Sequence, residues 1–261
     1  MRLTRSVLLL LAVAMTVGAP TYLEAEKYTD HSAWDGLLHR YVRAGFVDYE
    51  GMQRERDVLD RYLASRNEVS RLQIVPHEME LADWINTYNA CVVKGVLDHY
   101  PLKSVKDVKG FFDHIRYRVN GEPPLTLNDI ERRGRMLRDW RMHFAVVCAS
   151  SSCPPLRSEA YVPERLNDQL AEQARQFLND PQKGLRLEPR QETLWVSKIF
   201  QWYTKDFIPD GHLSAEKLLE VLRPVLDPAI AQAIGQELLK DYQLHVKFLD
   251  YDWSLNERHE P

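Results

Sequence analysis

The sequence predicts an α+β domain, helix-rich and built around a small, mainly antiparallel sheet. Apolar residues recur at helical spacing through the first half of the chain, and short strand-like runs bounded by turn residues follow in the second. No repeat, low-complexity tract or Gly/Ser linker interrupts residues 26–261, and the 14 prolines are scattered as turn punctuation, so this stretch reads as one domain. With 44% hydrophobic and 28% charged residues the chain has enough apolar material for a packed core and no disordered or collagenous bias.

Trp34, Leu37, Leu38 and Tyr41 mark a first helix, and Val58, Leu59, Tyr62 and Leu63 a second. Pro76, His77 and Glu78 open a long helix that runs to His99, where Tyr100 and Pro101 stop it. Ile115 to Val119 alternates apolar and charged residues with Asn120-Gly121 behind it, the pattern of a strand entering a hairpin turn. His143 to Cys148 is an apolar run of buried-strand length. Leu185 to Leu187 and Leu194 to Val196 read as a pair of strands, and Leu244 to Phe248 as a last strand. Phe200, Trp202, Tyr203 and Phe207, beside Lys198, Lys205 and Asp206, read as an amphipathic helix burying its rings.

Arg2 and Arg5 precede an apolar run from Val7 to Ala14 that ends in small residues, the parts of a secretory signal peptide. The run is shorter than the roughly 20 residues of a membrane span, so export with cleavage is expected rather than a stable span. Ala14, Ala19 and Ala25 are possible cleavage positions; Pro20 disfavours the second, and Leu23-Glu24-Ala25 is the preferred context, giving a signal at 1–25. No cysteine follows the run, so nothing points to a lipid anchor. Periplasmic or extracellular residence is the corresponding expectation. The net charge of −4 lacks the basic footprint of a nucleic-acid partner.

The chain contains no Gly-rich phosphate or dinucleotide loop, His-Glu-x-x-His, Gly-x-Ser-x-Gly or Cys-x-x-Cys. His77, Glu78 and Glu80 have metal-ligand chemistry at the wrong spacing for a helical zinc pair, and at a helix start the acids complement the dipole. No cofactor and no metal is expected.

The most suggestive segment is Cys148-Ala-Ser-Ser-Ser-Cys153-Pro-Pro, a polar loop leaving an apolar run. It admits four readings: a Cys148–Cys153 disulfide in an oxidising compartment, buried inert thiols, a nucleophile beside an oxyanion-binding nest of backbone N–H groups, or a redox-active pair. On a strand, alternation would put His143 on the face opposite Cys148, making it a poor base for that thiol and leaving His77, His99 and His114 as the other candidates. Cys91, mid-helix, reads as a small buried hydrophobe. Asn86 and Asn89 are neighbours on one helix face and read either as partners for the backbone of an adjacent irregular loop or as a polar pocket wall. Arg157 has the planar fork to grip a carboxylate or phosphate, or to pair with a local acid. Tyr251 to Asn256 reads as a tail packing back on the body, with Asp252 accepting hydrogen bonds, or as a binding-site wall.

Four passages in order resemble the Domain of Unknown Function 547 (DUF547) family: Trp84 to Ala90, Leu127 to Glu131, His143 through Cys148 to Arg157, and Val246 to Asn256. The resemblance spans roughly residues 30–257. It implies a helix-rich domain of unsettled function, of the kind found in exported bacterial proteins and in plant proteins. Arg132 stands where the family pattern often carries a histidine.

Two functions are consistent with these residues. The favoured one is an envelope binding or scaffolding module in which Asn86, Asn89, Arg157 and Tyr251 line a polar pocket for a small molecule or a protein partner. The alternative is a thiol-dependent hydrolase or acyl-transfer enzyme with Cys148 or Cys153 as nucleophile and a histidine such as His143 as base.

Overall fold

The structure, a computed structural model, describes residues 28–69, 75–119, 121, 123–240 and 244–258. The signal peptide expected at 1–25 lies outside these residues. The architecture is α+β, as predicted, but its strands form three small sheets rather than one.

The N-terminal part runs α1 (Ser32–Tyr41), β1 (Val42–Arg43), β2 (Phe46–Val47), α2 (Tyr49–Gln53) and α3 (Arg56–Arg66). α4 (His77–His99) comes next and is the centre of the fold. Every residue from Leu81 to Leu97 except Lys94 is buried, polar ones included, so this helix is enclosed on all faces by α3, by α5 (Leu127–Arg135) and by the loops after α5.

β3 (Arg116–Tyr117) pairs antiparallel with β4 (Leu125–Thr126). The expected strand from Ile115 to Val119 is thus only two residues long, and Asn120 of its turn lies outside the described residues. β4 delivers the chain into α5 through a capping box: Thr126 Oγ1 accepts from the Asp129 N–H at 3.1 Å, and Asp129 Oδ2 accepts from the Thr126 N–H at 3.1 Å.

α6 (Leu166–Leu178) leads to β5 (Leu185–Glu188) and β6 (Thr193–Val196), which pair antiparallel as expected. After the short helices α7 (Ile199–Trp202) and α8 (Thr204–Phe207) come α9 (Ala215–Leu222) and α10 (Pro228–Leu238), and β7 (His245–Phe248) then adds to β6 in parallel. The single amphipathic helix expected around Phe200 is broken at Tyr203; Phe200 and Phe207 are buried, but Trp202 is 45% exposed. Among the described residues no helix is long and apolar enough to cross a membrane.

The main correction concerns His143 to Cys148, which is not a strand. Trp140–Phe144 is a 3-10 helix, and the chain then continues irregularly through the polar loop. Buried irregular backbone needs hydrogen-bond partners that no neighbouring strand supplies. α4 supplies them. Asn89 Nδ2 donates to the Ala145 carbonyl at 2.9 Å and its Oδ1 accepts from the Val147 N–H at 3.0 Å; Asn86 does the same for Tyr161, at 2.8 and 3.0 Å.

Replacing Asn89 by Ala leaves a buried carbonyl and a buried N–H unpaired. The expected cost is about 2–4 kcal/mol, read as a lowered urea midpoint with unchanged slope. An unshifted midpoint would show that these bonds do not hold the segment.

Candidate active site

The irregular segment sets His143 and Cys148 on the wall of one cavity of about 660 Å³, lined also by Tyr88, Glu131, Cys153, Tyr203 and Tyr251. The expected opposition of His143 and Cys148 across a strand is therefore overturned, because the segment does not alternate. The other candidate bases are elsewhere: His77 is exposed, His99 Nδ1 lies 2.8 Å from the Gly95 carbonyl, and His114 sits 3.0 Å from the Asp113 carboxylate.

Cys148 is half-buried, and its sulfur is surrounded by donors. Ser150 Oγ lies at 2.9 Å and the Tyr251 hydroxyl at 3.1 Å. Burial pushes this thiol up, but hydrogen bonds from Cys153, Ser150, Tyr251 and the Ser150 N–H more than offset it and bring the pKa down to about 7. Burial and the Cys148 sulfur drive the Cys153 thiol the other way, well above its ordinary range. Burial likewise raises the Tyr251 hydroxyl, so it stays protonated and able to donate.

The expected Cys148–Cys153 disulfide is absent; both are free cysteines, as is buried Cys91. The loop turns sharply through Ala149, at φ 56°, and directs Cys153 Sγ to the Cys148 N–H at 2.9 Å. Nor do Ser151, Ser152 and Cys153 offer the free amides that the nucleophile reading supposes. The N–H groups of Ser151, Ser152 and Cys153 donate to the carbonyls of Ser254, Asp252 and Ser150 at 2.8, 3.2 and 3.1 Å.

Two of those three bonds come from the tail, which clamps the loop. Asp252 N donates to Ser152 Oγ at 2.8 Å, Asp252 Oδ1 accepts from the Ser254 N–H at 2.8 Å, and Ser150 bridges antiparallel to Leu255. The segment thus packs on the body, as the first reading expects, and by doing so carries Tyr251 to Cys148 on the cavity wall.

His143 is anchored by a residue that sequence reasoning passed over. Its Nε2 lies 2.8 Å from Asp206 Oδ2, and Arg135 forks onto the same carboxylate at 2.6 and 3.1 Å. The hydrogen bond from His143, with the Arg135 guanidinium, holds Asp206 well below the usual carboxylate range despite burial. A carboxylate only accepts, so it fixes the imidazole proton on Nε2 and leaves Nδ1 as the basic nitrogen. That Nδ1 is buried without a hydrogen-bond partner, and the ring stacks on Tyr203 at 4.2 Å. Burial pushes up the carboxyl of Glu131, against a hydrogen bond with the Tyr203 hydroxyl and the nearby His143 and Arg135.

Of the four residues expected to line a polar pocket, only Tyr251 reaches the cavity. Asn86 and Asn89 spend their amides on backbone, as partners of irregular loop rather than as a pocket wall. Arg157 pairs with Glu159 and, at 3.0 Å, with Glu172. Arg132, exposed, pairs with Asp129 at 3.0 Å.

Residues 72–178, less than half of the chain, match the family model described as "Protein of unknown function, DUF547". The match takes in Glu131, His143, Cys148 and Cys153 and supports the family resemblance over that stretch; Asp206 and the passage from Val246 to Asn256 lie outside it. No curated protein and no solved structure matches the chain.

Removing the Tyr251 hydroxyl takes away one of the donors that stabilise the thiolate. In wild type, the alkylation rate of Cys148 by iodoacetamide should rise as pH increases through about 7. In Tyr251→Phe this midpoint should move up by roughly one unit. An unmoved midpoint would remove Tyr251 from the site.

Proposed function

We propose that this chain is a thiol-dependent enzyme that cleaves or transfers an acyl group, with Cys148 as the nucleophile. The observation that carries the reading is the Cys148 sulfur, ringed by the Ser150 and Tyr251 hydroxyls on the wall of a cavity it shares with an acid-anchored histidine. These donors favour the thiolate over the thiol, and the proton it gives up reaches His143 Nδ1 through water in the cavity.

In this mechanism the Cys148 thiolate attacks the carbonyl carbon, a C–S bond forms, and the carbonyl electron pair moves to oxygen. The protonated hydroxyls of Tyr88 and Tyr251 are the candidate donors to that oxygen. Collapse breaks the bond to the alcohol or amine, which leaves with that proton, given up by His143 Nδ1 while Asp206 holds Nε2. Water, giving a proton to His143, or a second nucleophile then takes the acyl group and frees the thiolate. Export through the N-terminal segment belongs to the same proposal, and a purified native chain beginning at Glu26 would bear it out.

One observation favours the second reading, a binding module without catalysis: His143 Nδ1 makes no hydrogen bond to Cys148. Turnover of a panel of 4-nitrophenyl esters and anilides separates the two. Cys148→Ser should lose at least 100-fold in kcat/KM while keeping the wild-type circular dichroism spectrum and Tm, and Asp206→Asn about 10–100-fold. Turnover that survives in Cys148→Ser would remove Cys148 as the nucleophile, and none above buffer in wild type would leave the binding reading.

A further inference from the structure

The reactive end of the cavity does not account for its mouth. There Trp202, Tyr251 and Trp253 pack as a trio, with ring centres 4.8 Å apart for Trp202 with Tyr251 and for Tyr251 with Trp253. Trp202 is 45% exposed, an indole left in water at the edge of a concave site. Lys106, just behind Val105 on a 3-10 turn, lines the same cavity, with its ammonium 4.8 Å from the centre of the Trp253 ring.

The other charged groups of the site lie away from Lys106 in their contacts. Asp113 pairs with His114 at 3.0 Å, Glu131 is hydrogen-bonded with Tyr203, and His143 holds Asp206. Among the described residues no carboxylate pairs with Lys106. Lys106 thus presents a positive charge without a carboxylate partner, beside aromatic surface suited to a short aliphatic or planar spacer, in the space that opens on Cys148.

We propose that the substrate is an acyl compound carrying an anionic group, a carboxylate or a phosphate, which Lys106 binds while the spacer lies against the Trp202–Trp253 rim and the carbonyl reaches Cys148. This rests on the thiol-enzyme reading for its chemistry, but the anion site stands on Lys106 and the rim alone.

The test uses 4-nitrophenyl monoesters of straight-chain dicarboxylic acids of increasing length, an ester of matched length ending in a phosphonate, and methyl-capped neutral counterparts. At one or more lengths wild type should favour an anionic ester over its neutral counterpart by about tenfold in kcat/KM. In Lys106→Met that ratio should fall to near one, while Lys109→Met, an exposed lysine outside the cavity, keeps it. A carboxylate preference and a phosphonate preference tell the two anions apart. Equilibrium binding of the same esters to Cys148→Ala supplies a readout that does not depend on turnover. If Cys148 proves dispensable but the anionic ester still binds Cys148→Ala about tenfold more tightly through Lys106, the enzyme reading falls and the anion site stands. If Cys148 is required but no anionic ester exceeds its counterpart at any length, or Lys106→Met keeps the preference, the anion site falls alone.

Discussion

The side-chain amide of Asn89 makes two hydrogen bonds on which the candidate site depends. By bonding the Ala145 carbonyl and the Val147 N–H it gives the segment between His143 and Cys148 the partners that a neighbouring strand would otherwise give it, and frees that segment from strand alternation. Only then can His143 and Cys148, five positions apart, line one cavity. Asn86, one turn earlier on α4, fixes Tyr161 in the same way, so a single buried helix face holds the chain on both sides of the polar loop.

Electrostatics then divides two cysteines that composition could not. Both are drawn into apolar surroundings, which raises a thiol, yet one sulfur collects the hydroxyls of Ser150 and Tyr251 and the other takes the Cys148 N–H. Hydrogen bonds to the charged form outweigh desolvation at Cys148 and fail to at Cys153. Asp206 performs the matching service for His143, held as a carboxylate by Arg135.

Legibility in the sequence tracks the range of the forces involved. α1 and α3 are legible as helices from local periodicity, and the limits of α4 and of the β5–β6 pair are legible to within a residue or two. The run from His143 to Cys148 is misleading because a buried apolar stretch has no period that separates strand from buried turn, and only the partner on α4 decides it. Glu131 stands inside a recognised passage with no sign of its burial, and Lys106 resembles any surface lysine. Asp206 lies 63 positions from His143 and Tyr251 103 from Cys148, so nothing short of the folded chain brings them together.

An attack by Cys148 on an acyl carbon leaves a thioester that can be trapped. The folded protein, incubated briefly with 4-nitrophenyl acetate, quenched in acid and mapped by peptide mass spectrometry, should carry an acetyl thioester on Cys148 and none on Cys91 or Cys153. Ester cleavage with the acetyl group on another residue, or with Cys148 unmodified throughout, would exclude Cys148 as the nucleophile.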